Sequence, residues 1–159
     1  MRKNAIGLNA EKAMDLACDL NNLLANAQVY YQNLRGVHWN IHGQNFFELH
    51  AKFEELYIEA QENVDLIAER ILTLGGTPLH TFEDYIKTST VSVGKDISKD
   101  EDCVRLILGS LSSLLEIERE LLDKSDKLND EGTNSMVSDF ITVQEKVVWM
   151  LESWLGKKI

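Results

Sequence analysis

Proline occurs only once in these 159 residues, at Pro78, and only nine residues are glycine. These two residue types are the ones that most often interrupt a helix. A chain with so few of them is expected to form long helices rather than many short strands. Its length fits one folding unit, so we expect a single all-α domain over residues 1–159.

Apolar residues recur at steps of three and four along four stretches, which is the spacing typical of amphipathic helices. The stretches cover about residues 9–42, about 45–74, from about 98 to a polar segment at 129–134, and from there to about 155. The residues expected to face the core are Leu16, Leu20, Leu23, Ala27, Tyr30, Leu34 and Val37, then Phe46, Leu49, Phe53, Leu56, Ala60, Ile67 and Ile71, then Val104, Ile107, Leu108, Leu111, Leu114, Leu115, Leu121 and Leu122, and finally Met136, Phe140, Val143, Val147, Leu151 and Trp154.

Polar residues mark the predicted starts of the first three helices. Asn9 is an expected N-cap of the first helix, and Asn45 followed by Glu48 of the second. Ser98 and Glu101 match a capping box, in which each side chain bonds a free backbone amide at the helix start.

Glycine and proline mark the predicted ends of the first two helices. Gly43 is expected to stop the first helix, and Gly75 the second, with Pro78 soon after. Between the second and third helices lies a crossover over residues 76–98. Phe82, Tyr85 and Ile86 predict one short helix in it, capped by Thr81, and residues 88–94 are expected to form a loop.

Two helices, a long crossover and two more helices are the order of the ferritin-like variant of the four-helix bundle. We therefore predict a ferritin-like bundle with a short helix in the long crossover between its second and third helices.

The formal net charge of −10 attracts cations and does not attract DNA or anionic lipid. No apolar run approaches the length of about 20 residues that spans a bilayer, and the start lacks a signal-peptide pattern, so we expect the cytoplasm. Cys18 and Cys103 lie in apolar patterns and are expected to be buried free thiols, with a disulfide as the alternative.

Histidines and carboxylates form two groups that are suited to binding a transition metal. His50 and Glu54 share one face of the second helix, and so do Asp65 and Glu69. His38 lies near the end of the first helix. His50 and Asp65 stand roughly 22 Å apart along the axis, too far for one metal ion. A second, antiparallel copy would bring one chain's carboxylates to the other chain's histidines.

Simpler interpretations account for the same residues. Carboxylates one turn apart are often a solvated face, here paired with Arg70 or Lys52, and the chain could be a plain helical oligomer without metal chemistry. His42 and His80 are expected to be structural or surface residues. A metal site inside one bundle is disfavoured, because the chain contains no Glu-x-x-His motif.

Two segments carry a family resemblance. NLRGVHWNIHGQNFFELH at residues 33–50 and DLIAERILTLGGTP at 65–78 resemble the signature of the Dps family, the DNA-binding proteins from starved cells. The resemblance implies an intersubunit ferroxidase centre for two Fe(II) ions, whose ligands fall on His38, His50, Asp65 and Glu69. The family's further acidic residue is usually aspartate and here is Glu54.

The resemblance also implies a role for Trp39 in radical or electron transfer beside the centre. It implies a dodecameric shell that oxidises Fe(II) with hydrogen peroxide, stores the ferric mineral and protects against oxidative damage. Acidic pores would admit the iron, and Asp123, Asp126, Asp130 and Glu131 lie where such a pore would be.

The competing function is a DNA-binding protein that compacts the nucleoid. Some members of the family bind DNA through lysine-rich tails. The termini here offer Arg2, Lys3, Lys12, Lys157 and Lys158, which is few for so acidic a chain. We therefore expect weak or no DNA binding.

Overall fold

A computed structural model describes residues 2–158 and places five helices in that part of the chain. They are α1 (Ala10–Asn40), α2 (Phe46–Leu74), α3 (Phe82–Thr88), α4 (Asp100–Lys127) and α5 (Glu131–Trp154). Over the same residues the chain forms isolated β-bridges but no strand. The predicted all-α fold, with one short helix in the crossover, is confirmed.

The four long helices pack around one apolar core. α1 packs most extensively against α2, and α4 against α5, while α1 also contacts α4 and α3. Every residue predicted for the α1 stripe is buried, as are most of those predicted for α2 and α4. None of the helices in the described part of the chain has the length and hydropathy that crossing a membrane requires.

Three of the predicted helix boundaries are confirmed. The Asn9 side chain accepts a hydrogen bond from the Lys12 amide at 2.9 Å, and the Thr81 hydroxyl accepts one from the Asp84 amide at 3.2 Å. Gly75 ends α2 with a φ of 99°, a left-handed conformation that favours glycine.

Asn45 occupies the N-cap position of α2, as predicted, whereas Ser98 is not the N-cap of α4. The Asn45 side chain caps nothing and donates instead to the Asp100 carboxylate at 2.8 Å, which ties the start of α2 to the start of α4. The Ser98 carbonyl accepts a hydrogen bond from the His42 amide at 3.1 Å, and α4 begins only after Lys99.

The start of α5 also differs from the prediction. The polar segment 129–134 was expected to separate the last two helices, but α5 begins at Glu131 and includes most of that segment. Asp130 is its N-cap and accepts a hydrogen bond from the Thr133 amide. The cap formed by the buried Asp130 carboxylate therefore allows α5 to begin within this polar segment.

Three of the six residues predicted for the inward face of α5 are buried, namely Phe140, Val147 and Leu151. Val143 is 43% exposed, and Met136 is only half-buried. Val137, Ile141 and Gln144 point inward instead. Apolar residues also flank the predicted stripe, so the spacing alone could not set the limits of the buried face.

The two cysteines differ in exposure. Cys103 is buried, as predicted, and burial raises the pKa of its thiol to about 11. Cys18 is exposed, so the prediction that it is buried is wrong. Both thiols are free.

Glu118 of α4 is a buried acid inside the bundle. It is 1% exposed, and its Oε1 accepts a hydrogen bond from the Gln144 side chain at 2.8 Å. Glu118 Oε2 and Gln144 Oε1 have no hydrogen-bond partner within residues 2–158. Burial raises the pKa of Glu118 from 4.5 to about 8, while the bond from Gln144 and the charge of Arg119 lower it. The folded protein therefore favours the neutral acid.

This burial predicts that stability falls as the pH rises from about 5 to about 8. The folded chain keeps the Glu118 proton over that range, whereas the unfolded chain has released it, which costs about 1.4 kcal/mol per pH unit for one proton. Glu118→Gln should remove this dependence, because an amide does not titrate, and the new side chain can still accept from and donate to Gln144. Urea unfolding of both proteins at one concentration and several pH values measures the difference. Equal pH slopes for the two proteins would contradict the assignment.

Candidate metal centre

Two histidines from different helices lie against each other at the α1–α2 connection. His38 is in the last turns of α1, and His50 is in the second turn of α2. Their imidazole rings are stacked, with centroids 3.8 Å apart and planes 10° apart. Nδ1 of His38 is 2.7 Å from the carbonyl oxygen of His50, and Nδ1 of His50 is 2.7 Å from the carbonyl oxygen of His38. The sequence placed these side chains near each other but did not indicate this reciprocal contact.

The two hydrogen bonds determine which ring nitrogen of each histidine can bind a metal. A carbonyl oxygen only accepts, so each Nδ1 must be the donor and must carry the proton. In a neutral imidazole the lone pair is then on Nε2. Histidines that ligate metals are commonly oriented by such a bond from the other ring nitrogen. His38 and His50 therefore present two nitrogens suited to a transition-metal ion.

Aromatic side chains flank the histidine pair. The Phe46 ring is stacked on His50, with centroids 4.8 Å apart and planes 19° apart. The Tyr57 ring meets His38 edge-on at 5.3 Å, and its hydroxyl donates to the Glu54 carboxylate at 3.3 Å. The i,i+4 spacing of Phe46 and His50 is the only sequence signal for the first contact.

The predicted carboxylates lie elsewhere on the same helix. Asp65 and Glu69 are both exposed on α2, more than four turns beyond His50. Over residues 2–158, no three His, Cys, Asp or Glu side chains come close enough to hold one metal ion. The structure thus brings His38 and His50 together, with Glu54 one turn from His50, and keeps Asp65 and Glu69 apart from them.

Trp39 lies on the outside of α1, beside the histidines in sequence. Its side chain is 56% exposed, and the Arg35 guanidinium carbon lies 4.7 Å from the centre of its ring. The same guanidinium lies 5.4 Å from the ring of Tyr31. A stacked cation of this kind holds an exposed indole in place. The predicted radical or electron-transfer role of Trp39 stays a prediction.

The contacts of the other two histidines involve the backbone or their own loop. His42 is exposed, and its backbone amide bonds Ser98. Nδ1 of His80 lies 2.9 Å from the carbonyl oxygen of Pro78, two residues earlier.

The acidic loop between α4 and α5 contains one residue that cannot line a pore. Asp130 is 3% exposed, and the Arg70 guanidinium of α2 donates to its carboxylate. The Thr133 hydroxyl donates to the same carboxylate and accepts from Arg70 Nε at 2.9 Å. Asp123 instead pairs with Lys127 at 2.6 Å. The pore prediction for Asp130 is therefore wrong. Its ion pair with Arg70 joins the part of α2 that carries Asp65 and Glu69 to the start of α5.

Comparisons with known proteins agree with this architecture. Residues 18–158 match the ferritin-like domain family. A Porphyromonas gingivalis protein named DNA protection during starvation protein is 36% identical over 151 residues, 95% of each chain. The chain belongs to the Dps family of ferritin-like proteins.

Solved Dps structures match nearly the whole chain. The Dps protein from Vibrio cholerae has a TM-score of 0.95 and 46% identity to this Dps chain, covering 98% of both. It is described as a member of a broad superfamily of ferritin-like diiron-carboxylate proteins. The Dps protein from Bacillus brevis has a TM-score of 0.88 and 34% identity, covering 91% of this chain and 97% of that one.

The buried Arg70–Asp130 pair predicts a large loss of stability for Asp130→Ala. The substitution leaves a mostly buried guanidinium without its partner and removes the α5 cap, and we expect a cost of about 3 kcal/mol. Asp126→Ala, at an exposed position in the same acidic region, should change stability by less than about 0.5 kcal/mol. Urea unfolding of both variants checks this, and equal effects would show that the pair contributes little.

Proposed function

We propose that this Dps protein oxidises Fe(II) at centres formed between two copies and stores the ferric product inside a hollow shell. The proposal depends on two observations. His38 and His50 are oriented by hydrogen bonds, and the Asp65–Glu69 carboxylate pair on α2 is too far away to share a metal ion with them within one chain. Family membership supports iron as the metal.

The shell that we propose contains twelve copies of the chain and lies in the cytoplasm, where it would protect the cell from oxidative damage.

One face of α2 supports the pairing of two copies. His50, Glu54, Ile58, Asp65 and Leu72 are spaced so that they fall within about a third of the helix circumference. Ile58 and Leu72 on this face are 49% and 59% exposed. Exposed apolar residues in line with polar ones are typical of a surface that another chain covers.

An antiparallel partner would complete two centres at once. If the α2 helices of two copies cross head to tail near Ile58, the carboxylates of each chain approach the histidines of the other. His38 and His50 would then share each centre with the partner's Asp65 and the partner's Glu69. Each dimer would contain two such centres, related by the twofold axis.

The residues would divide the chemistry between them. Neutral Nε2 atoms bind Fe(II) without adding charge, and the carboxylates offset the charge that increases as Fe(II) becomes Fe(III). Hydrogen peroxide takes up two electrons when it is reduced to water, so two Fe(II) ions bound together can supply both without releasing hydroxyl radical. Glu54 would contribute a further carboxylate, which Tyr57 already holds by a hydrogen bond. The net charge of −10 would favour retention of iron in the shell.

Mixing two inactive variants tests this proposal. His38→Ala/His50→Ala chains lack one half of each centre, and Asp65→Ala/Glu69→Ala chains lack the other, so each assembly alone should oxidise Fe(II) with peroxide far more slowly than the parent. In shells assembled from equal amounts of both, half of the pairs are mixed and each mixed pair has one complete centre. About a quarter of the parent rate should return.

Two controls make the result decisive. Gel filtration shows whether each variant assembles, and a physical mixture of the two separately assembled shells should show no recovery. Co-assembled shells that are no faster than this mixture would contradict a centre shared between chains.

DNA binding is the second candidate, because relatives carry the name DNA protection during starvation protein. In this chain the N-terminal residues fold back on the start of α1. The Ala10 amide donates to the Arg2 carbonyl at 3.0 Å, and Lys3 forms a bridge with Asn9. At the other end, Lys157 lies 3.6 Å from the Glu152 carboxylate. These contacts hold the backbone at Arg2 and Lys3 and the side chain of Lys157 close to the helices.

We therefore expect no shift of linear duplex DNA in a gel at neutral pH and low salt. The acidic shell repels the phosphates, and its basic residues are too few to overcome that repulsion. A basic Dps protein serves as the positive control. Tight binding that weakens steeply as salt is added would instead favour the DNA-binding function.

A further inference from the structure

Phe46, the first residue of α2, stacks on a histidine instead of being fully buried in the core. The apolar spacing of α2 predicts that it faces the core, but it is only half-buried. Its ring lies nearly parallel to the His50 imidazole, with centroids 4.8 Å apart and planes 19° apart. The opposite face of His50 is covered by the His38 ring at 3.8 Å. His50 is thus the middle ring of a stack of three.

The stack and the hydrogen bond constrain His50 in different ways. The bond from Nδ1 to the His38 carbonyl fixes one atom of the ring, and a ring held at one atom can still tilt. Flat contacts on both faces remove that tilt, because any rotation would push the imidazole into Phe46 or His38. Together they leave Nε2 a single direction.

The backbone that carries Phe46 is itself held. The Phe46 amide donates to the Gly43 carbonyl at 3.2 Å, and the side chain of the preceding residue, Asn45, is bonded to Asp100 of α4. The Phe46 ring is therefore a fixed wall for His50. His38 does not depend on it to the same degree, since it is buried and has Tyr57 at its edge.

We propose that Phe46 is a positioning residue of the metal centre, whose ring holds the His50 imidazole in the plane from which Nε2 meets the metal ion. This inference rests on the proposed function, because it assumes that His50 binds metal. Phe46 itself offers no ligand atom, so its effect acts entirely through His50.

Three variants of the assembled protein test the role of the ring. Phe46→Leu keeps an apolar side chain but removes the flat surface, and Phe46→Tyr restores it. Phe47→Leu is the matched control, since Phe47 is 85% exposed and touches the Phe46 ring only edge-on. Co(II) serves as the probe, and its visible absorbance measures binding to each assembled protein.

We expect Phe46→Leu to bind Co(II) about tenfold more weakly than the parent, the size of effect seen when a residue that orients a ligand is lost. Phe46→Tyr and Phe47→Leu should bind it as the parent does. A crystal structure of metal-free Phe46→Leu should show the His50 ring turned out of its present plane. Gel filtration and thermal unfolding confirm that each variant still assembles and folds.

The outcomes separate this inference from the proposed function. If metal-free Phe46→Leu keeps the His50 ring in its present plane, Phe46 does not position it, and the inference is overturned. The same conclusion follows if Phe46→Leu binds Co(II) as tightly as the parent. If the parent itself binds no Co(II), the proposed function fails, while the crystal structure still decides whether Phe46 orients His50.

Discussion

The carbonyl oxygen of His38 is a backbone acceptor that α1 cannot satisfy by itself. It lies in the last turn, where carbonyl groups lack partners from within the helix. The amide that a longer helix would offer belongs to His42, and that amide is bonded to Ser98. The His50 side chain supplies the missing donor. The bond that completes the end of α1 is therefore also the bond that orients a candidate metal ligand, so the helix end and the centre depend on each other.

The reciprocal bond has a different basis. The carbonyl oxygen of His50 lies inside α2, where a helical amide can already reach it, but a carbonyl has two lone pairs and can accept again. Two histidines thus orient each other without any carboxylate to hold them. This leaves the acidic residues of α2 free of that task, and Glu54, Asp65 and Glu69 are all exposed.

Much of the fold could be predicted because it depends on spacing and on local caps. The stripe of α1, the cap at Asn9 and the end of α2 at Gly75 all follow from residues close together in sequence. The hydrogen bonds of Asn45 and Ser98 could not be predicted, because their partners are distant in sequence. The burial of Gln144 in α5 could not be predicted for a similar reason, since its partner Glu118 lies on another helix.

The candidate site divides along the same line. The residue types and the distance along α2 could be predicted from the sequence, which is why His50 and Asp65 were assigned to different halves. The burial of Asp130 depends on how α2 meets the start of α5, and its only local signal was a position before a helix. The stacking of Phe46 on His50 lies within α2, and its only local signal was a four-residue spacing. A side chain whose partner lies on another helix gives little sign of its role in the sequence.

The distance between the two halves of the centre also bears on when the chemistry can begin. Under the proposed function, a newly synthesised chain carries every ligand and yet is inert toward iron, since no single copy can bring its own halves together. The centre would then become active only when two copies of the chain pair. Insoluble ferric product would not form around single subunits. The cell would need no separate inhibitor to prevent iron oxidation by unassembled chains.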